Sequence, residues 1–148
     1  MILAFVIVAT VSCKTIKTAD VPNARQGVEG YIYELSGNQM PMKGKPTNSN
    51  KRGVKREVYI YQATSLQQTQ GSTPLFDKVN TQLILKTTSN IEGRYKAYLP
   101  AGNYSVFIKE NGKLFAAETD ATGILNLIAI TLNEMTHRDV TITVNAPF

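Results

Sequence analysis

The residues with the most distinctive chemistry in this chain of 148 are its single cysteine, Cys13, and its single histidine, His137. One cysteine cannot form an intramolecular disulfide or a cysteine-based zinc site, and one histidine cannot build a multi-histidine zinc site. A Ser–His–Asp site would have to use His137, but no nucleophile motif such as G-x-S-x-G accompanies it. We therefore predict no metal, no cofactor and no catalytic site, and we interpret His137 as an exposed residue at a strand edge.

An uncharged, apolar segment precedes the cysteine. Residues 2–11 contain no charged side chain, and a helix of about ten residues extends roughly 15 Å, about half the hydrocarbon thickness of a bilayer. The segment is too short to cross a membrane but has the length of the hydrophobic region of a signal peptide, about 7–15 residues. Together with Ser12 and Cys13 it resembles the lipobox of bacterial lipoproteins, in which a small residue precedes the cysteine that is lipidated.

The resemblance to bacterial lipoproteins implies a protein anchored in the cell envelope. Residues 1–12 would be the signal peptide, cleavage would fall between Ser12 and Cys13, and Cys13 would carry palmitate-type acyl chains. Two or more chains give stable attachment, because each buried CH₂ contributes about 0.8 kcal/mol. Lys14 follows the cysteine, and by resemblance to Gram-negative lipoprotein sorting this favours the outer membrane, facing the periplasm. The alternative is that residues 2–11 form a buried strand and Cys13 is a buried thiol.

A polar tether over residues 13–25 leads into a predicted domain over residues 26–148. The domain consists of short segments in which apolar and polar residues alternate, separated by turn residues, without helical periodicity. Asn111-Gly112 is a strong hairpin signal, and the polar residues 67–74 are predicted to form a loop. The pattern gives about seven or eight strands and predicts an all-β fold, an antiparallel Greek-key β-sandwich.

Residues 87–112 contain a distinctive turn between two strand candidates. Its pattern, Gly-x-aromatic followed by Leu-Pro-x-Gly-x-Tyr, resembles that of the carboxypeptidase regulatory-like domain, a transthyretin-like β-sandwich, and the resemblance covers roughly residues 26–145. It implies a non-catalytic module, because the carboxypeptidase activity of that family belongs to a separate domain. The residues that carry the motif are Gly93, Tyr95, Leu99, Pro100, Gly102 and Tyr104.

Four tyrosines lie in pairs at alternating positions of two strand candidates. Tyr31 and Tyr33 share one face of the first strand, and Tyr59 and Tyr61 share one face of the next. If both faces are outward and adjacent, they form an aromatic platform for a sugar or a peptide. The alternative is that the tyrosines pack across strands or that one pair belongs to the core.

The formal net charge of +5 comes from one segment. Residues 43–56 hold six bases and no acid, whereas the remaining residues hold 10 bases against 11 acids. The segment spans a loop between the first two predicted strands and the start of the second strand. It is interpreted as a solvated insert that protects a sheet edge from aggregation, or as a contact for anionic headgroups or an acidic partner. The bases of this segment are Lys43, Lys45, Lys51, Arg52, Lys55 and Arg56.

The sequence thus predicts a lipid-anchored envelope protein that acts as a non-catalytic structural or protein-interaction module. The alternative is a glycan- or peptide-binding module that uses the tyrosine faces, and an enzyme is disfavoured by the residue inventory. The expected partners are the membrane, through the N-terminal lipid, and an envelope protein or glycan. Nucleic acid is not expected, because the protein is predicted to be exported and the basic segment lacks interleaved aromatic residues for base stacking.

Overall fold

The protein is described from a computed structural model that places residues 25–36, 43–44 and 50–143. The predicted lipidation site, Ser12 and Cys13, and Lys45 of the basic segment lie outside the described residues. The strands are β1 Gly27–Ser36, β2 Asn50–Gly53, β3 Glu57–Gln62, β4 Thr69–Ser72, β5 Leu75–Val79, β6 Leu83–Thr88, β7 Arg94–Tyr98, β8 Gly102–Glu110, β9 Lys113–Phe115, β10 Leu127–Ile130, β11 Met135–His137 and β12 Val140–Ile142, with a 3₁₀ turn at Leu66–Gln68.

β1 is the central strand of the first sheet and is paired along both edges. On one edge, β7 and β2 run antiparallel to residues 27–31 and 33–36. On the other edge, β11 and β12 run parallel to residues 27–29 and 32–34. The predicted antiparallel pairing holds elsewhere in the described sheets, and this edge is the exception, because the chain reaches it by crossing over from the second sheet.

β11 and β12 form one edge strand with an interruption. The offset between paired residues is 108 in both, so no residue is inserted at the break. A Cβ on Gly30 would lie 2.0 Å from the carbonyl oxygen of Arg138. The absence of a side chain at Gly30 therefore lets the edge strand bend inward at Arg138. The ladder continues through the side chain of Asp139, which accepts a hydrogen bond of 2.8 Å from the Tyr31 N–H.

The second sheet has the strand order β4-β5-β9-β8-β3-β6, and β10 also pairs with β8. All pairs in it are antiparallel. β4 lies inside the polar segment predicted as a loop, so that prediction is wrong in its centre. Thr69–Ser72 pairs with β5 through a hairpin with a register shift after Gln70, and such backbone pairing needs no apolar side chains. The described residues form more strands than predicted, because long strands are divided and short polar ones are added.

The main apolar core receives the inward faces of both sheets, which confirms the all-β sandwich. Val28 and Ile32 of β1 and Val58 and Ile60 of β3 are completely buried in it, as the period-two alternation predicts. At about 25 cal/mol per Å² of apolar surface removed from water, this burial is the main stabilising contribution.

A second apolar cluster covers the outer face of the second sheet. Phe76, Phe107 and Leu125 are fully buried in it, and Tyr59 and Tyr61 pack against its margin. Successive residues of β8 therefore enter different clusters: Val106 and Ile108 point into the main core and Phe107 into the second cluster. β8 is buried on both faces, which the alternation of apolar and polar residues does not indicate.

Candidate functional site

The family turn motif occupies structural positions. Gly93 has a φ of 88°, and a Cβ there would lie 2.3 Å from the carbonyl oxygen of Ile32, so only glycine fits between β1 and β7. The Tyr104 hydroxyl donates a hydrogen bond of 2.8 Å to the Pro100 carbonyl oxygen, an arrangement similar to the tyrosine corner of other β-sandwiches. Leu99 is buried, and Gly102 begins β8. The motif thus closes the turn between the two sheets.

Tyr95 connects β7 to the opposite edge of the first sheet. It lies directly across from Gly30 in the register, and its hydroxyl donates a hydrogen bond of 2.6 Å to the carbonyl oxygen of Arg138. The ring therefore passes over the position where a side chain on Gly30 would stand. Burial raises the pKa of Tyr95 well above its usual range, because the charged phenolate is disfavoured away from water.

Tyr31 and Tyr33 form an aromatic stack on the outer face of the first sheet. Their ring centroids are 5.7 Å apart and their planes differ by 17°. The ammonium of Lys51 lies 4.2 Å from the centroid of the Tyr33 ring, a cation–π distance. Lys51 pairs with Leu35 and so lies beyond Tyr33 as seen from Tyr31. The three side chains, in the order Lys51, Tyr33, Tyr31, make an aromatic column that runs along β1.

Tyr59 and Tyr61 lie on the other sheet and do not join that column. Their strand, β3, belongs to the second sheet, whereas β1 belongs to the first. Tyr61 packs edge-on against Phe107 with ring centroids 5.4 Å apart, and burial raises its pKa. The prediction of one platform from four tyrosines is therefore wrong, because the outward faces of β1 and β3 are the opposite outer faces of the sandwich.

A cleft of about 190 Å³ lies beside Tyr31 on the side away from Tyr33. Its lining comes from three strands and consists of Glu29, Gly30, Tyr31, Arg94 and His137. Arg94 lies directly opposite Tyr31 on β7, and its guanidinium has no hydrogen-bond or ion-pair partner among the described residues. Within the described part of the chain, the cleft therefore presents a guanidinium without a partner beside an aromatic ring.

The other polar side chains around the cleft have partners close by. Glu29 forms an ion pair of 3.4 Å with Lys96. His137 Nε2 lies 3.0 Å from Asp139 Oδ1, and the His137 side chain is 63 % exposed. His137 thus stands at a strand edge, as the sequence indicates, and its described partner is a carboxylate.

The basic segment does not remain a free loop. Lys51 and Arg52 belong to β2, and Arg52 pairs with Glu34 at 3.4 Å. Arg56 Nε forms an ion pair of 2.7 Å with Glu110, whose side chain is only 5 % exposed. The prediction of a loop is wrong for Lys51 and Arg52, because β2 extends the first sheet. Arg56, which the sequence places at the start of the next strand, forms ion pairs with Glu34 and Glu110. Lys43 and Lys55 are exposed.

Arg94, Glu29 and Lys96 are site residues that the sequence does not single out. Arg94 is separated from Tyr31 by 63 positions, and only the register of β1 with β7 brings them together. The available signal is the alternation in β7, where Arg94 and Lys96 alternate with the buried residues Tyr95 and Ala97. That alternation indicates that Arg94 and Lys96 point outward, but it does not show which strand lies beside them.

Comparison with known proteins finds no matching family model, no matching curated protein and no matching solved structure. Among the described residues, no group of three or more His, Cys, Asp or Glu side chains is placed to hold a metal ion. In the same part of the chain, no helix has the length and hydrophobicity required to span a bilayer.

Proposed function

We propose that this chain is a lipid-anchored protein of the bacterial cell envelope whose β-sandwich acts as a non-catalytic structural or interaction module. The observation that carries the proposal is the uncharged run of residues 2–11, which ends at Ser12 and the only cysteine, Cys13. The first strand among the described residues starts at Gly27, a short distance in sequence after Cys13, and this spacing supports the proposal. Lys14, directly after the cysteine, supports an anchor in the outer membrane with the module facing the periplasm.

The module is proposed to be of the carboxypeptidase regulatory-like kind. The two-sheet all-β architecture supports this. So do the roles of the motif residues, since Gly93 and Gly102 have positive φ and Tyr104 closes its turn by a hydrogen bond. These are roles in folding, so the function of the module rests on its surfaces.

Metabolic labelling with a palmitate analogue in a Gram-negative host tests the anchor. We expect the parent chain to incorporate label and to fractionate with the outer membrane, and Cys13→Ser to lose both properties because the acylated thiol is gone. Thr15→Ala, two positions further along, is the matched control and should keep the label. Labelling that persists in Cys13→Ser, or a parent chain without label, would contradict the proposal.

A ligand-binding role of the same module is favoured by the aromatic column of Lys51, Tyr33 and Tyr31. One end of the column is covered by the Lys51 ammonium, and the other end faces the cleft beside Tyr31. Aromatic faces next to polar groups are typical of binding sites. The tyrosine pair of β1 is therefore the candidate binding surface, and the pair of β3 is not part of it.

A further inference from the structure

We infer that the cleft beside Tyr31 binds a carboxylate-bearing sugar residue of an envelope polysaccharide. This inference rests on the proposed ligand-binding role of the β1 tyrosines and adds the chemical class of the ligand. The residues assigned to the site are Tyr31, Arg94, Glu29 and His137, which line the cleft together with Gly30.

The size of the cleft limits the ligand to one sugar-sized group. Its volume is about 190 Å³, below the roughly 300–1,000 Å³ of sites that enclose a whole small molecule. A polymer that inserts one residue while its neighbours remain in solvent fits this volume. A shallow cleft of this kind is expected for a site that binds one sugar residue of a longer polysaccharide.

The aromatic column defines how that group is bound. Tyr31 has Tyr33 stacked on one side, with ring centroids 5.7 Å apart, and its other side faces the cleft. The C–H face of a pyranose ring can pack on that side and continue the column. Because the Tyr31–Tyr33 stack is already formed and lies on a central strand, little conformational entropy is lost when the ligand binds.

Arg94 selects for a negative charge on the ligand. It stands opposite Tyr31, and its guanidinium has no partner among the described residues. The two carboxylates nearby do have partners: Glu29 lies 3.4 Å from Lys96, and Asp139 lies 3.0 Å from His137. A guanidinium matches a carboxylate with two parallel hydrogen bonds. The carboxylate of Glu29 and the imidazole of His137 remain at the cleft to bond hydroxyl groups.

A sugar fits this face better than a peptide does. An extended peptide is usually held by main-chain hydrogen bonds to a free sheet edge, but the tyrosine rings stand on the outer face above β1, a central strand that is paired along both edges. Even at the interruption, the Tyr31 N–H donates to Asp139 and the Glu29 carbonyl oxygen accepts from the Arg138 N–H, both at 2.8 Å. The site thus offers an aromatic face and side-chain polar groups, which is what a sugar ring and its hydroxyls require.

Calorimetric titration of the full-length chain in detergent micelles with trigalacturonate and with its methyl ester tests the inference. We expect the acid to bind at least about tenfold more tightly than the ester, which corresponds to roughly 1.4 kcal/mol. Arg94→Gln should reduce the affinity for the acid to that for the ester. Tyr31→Ala should abolish binding of both, and Tyr31→Phe should retain it, which separates loss of the ring from a failure to fold.

Tyr59→Ala, a tyrosine on the opposite outer face of the sandwich, is the matched control and should bind like the parent chain. Equal affinity for acid and ester, absence of binding, or equal losses in Tyr31→Ala and Tyr59→Ala would overturn the inference. Palmitate labelling of the same preparations reports on the anchor separately. A labelled protein that does not bind trigalacturonate therefore refutes the glycan site alone. An unlabelled protein that binds trigalacturonate refutes the anchor alone.

Discussion

The hydroxyl group of Tyr95 forms a hydrogen bond to the backbone of the edge strand. The phenol ring crosses over Gly30, and its hydroxyl donates to the Arg138 carbonyl oxygen at 2.6 Å. That carbonyl belongs to the interruption of the edge strand and is turned inward toward Gly30. The hydrogen bond therefore satisfies a carbonyl oxygen that is not paired in the strand ladder. It also links β7 to the β11–β12 edge across β1.

We expect Tyr95→Phe to lower the free energy of unfolding by about 1–3 kcal/mol in urea titrations at pH 7, because it leaves a buried acceptor unsatisfied. Tyr98→Phe, which changes an exposed tyrosine on the same strand, should change the free energy of unfolding little.

Burial raises the pKa of Tyr95, so the parent chain should lose stability as the pH rises above about 10, the ordinary tyrosine value. The unfolded chain then releases a proton that the folded chain keeps, at up to about 1.4 kcal/mol per pH unit.

This alkaline loss should be smaller in Tyr95→Phe than in the parent chain. The contributions of Tyr61 and Tyr104, whose pKa values burial also raises, remain in both proteins. An identical decline above pH 10 in the two proteins would show that Tyr95 ionises as freely in the folded chain as in the unfolded one.

Strand pairs in this molecule are joined across the sandwich by an ion-pair network as well as by apolar packing. Arg56, between β2 and β3, reaches Glu110 at the end of β8 at 2.7 Å and Glu34 of β1 at 3.8 Å. It thereby bridges the two sheets. Its backbone is held too, since the Arg56 N–H donates to Ser89 Oγ at 2.8 Å. Arg56 is thus a structural residue, although the sequence groups it with five other bases.

Arg56→Met should reduce the free energy of unfolding by about 2–3 kcal/mol. Removing one partner of a buried ion pair typically costs about 3–5 kcal/mol, and the partial exposure of Arg56, 28 % of its side chain, lowers that figure. Lys55→Met changes an adjacent exposed base and should have an effect within about 0.5 kcal/mol. The double variant Arg56→Met/Glu110→Met should recover part of the loss, and a double variant that is less stable than Arg56→Met would contradict the buried-charge explanation.

The whole molecule has two apolar clusters that share one strand. β8 sends Val106 and Ile108 into the main core and Phe107 into the second cluster, while β2 and β4 are short, exposed strands with a single described strand partner each. Stability is therefore unevenly distributed. The outer face of the first sheet, with the aromatic column, belongs to neither of these clusters.

Amide hydrogen exchange followed by mass spectrometry should reveal this distribution. We expect the slowest exchange in residues 104–108 of β8, because those amides open only when both clusters are lost. Exchange should be fastest among the strands in Asn50–Gly53 and Thr69–Ser72, which can detach without exposing either cluster. Uniform protection across β8 and β4 would argue against the two-cluster organisation.

The sequence predicts the all-β class, the alternation of faces along β1, β3 and β7, and the turn at Asn111-Gly112, where both residues have positive φ. These features depend on side-chain period and on backbone preferences of a few neighbouring residues, which are local properties of a chain. The same local patterns predict a lipobox-like site at Ser12-Cys13, which lies outside the described residues.

Which strands are neighbours follows from the tertiary packing. It separated Tyr31 and Tyr33 from Tyr59 and Tyr61, buried β8 on both faces, and paired Arg56 with Glu110. It also placed Arg94 and His137 beside Tyr31 from strands distant in sequence. Register and sheet order depend on the joint packing of all the strands, so the residues around a given position do not encode which strand lies beside it.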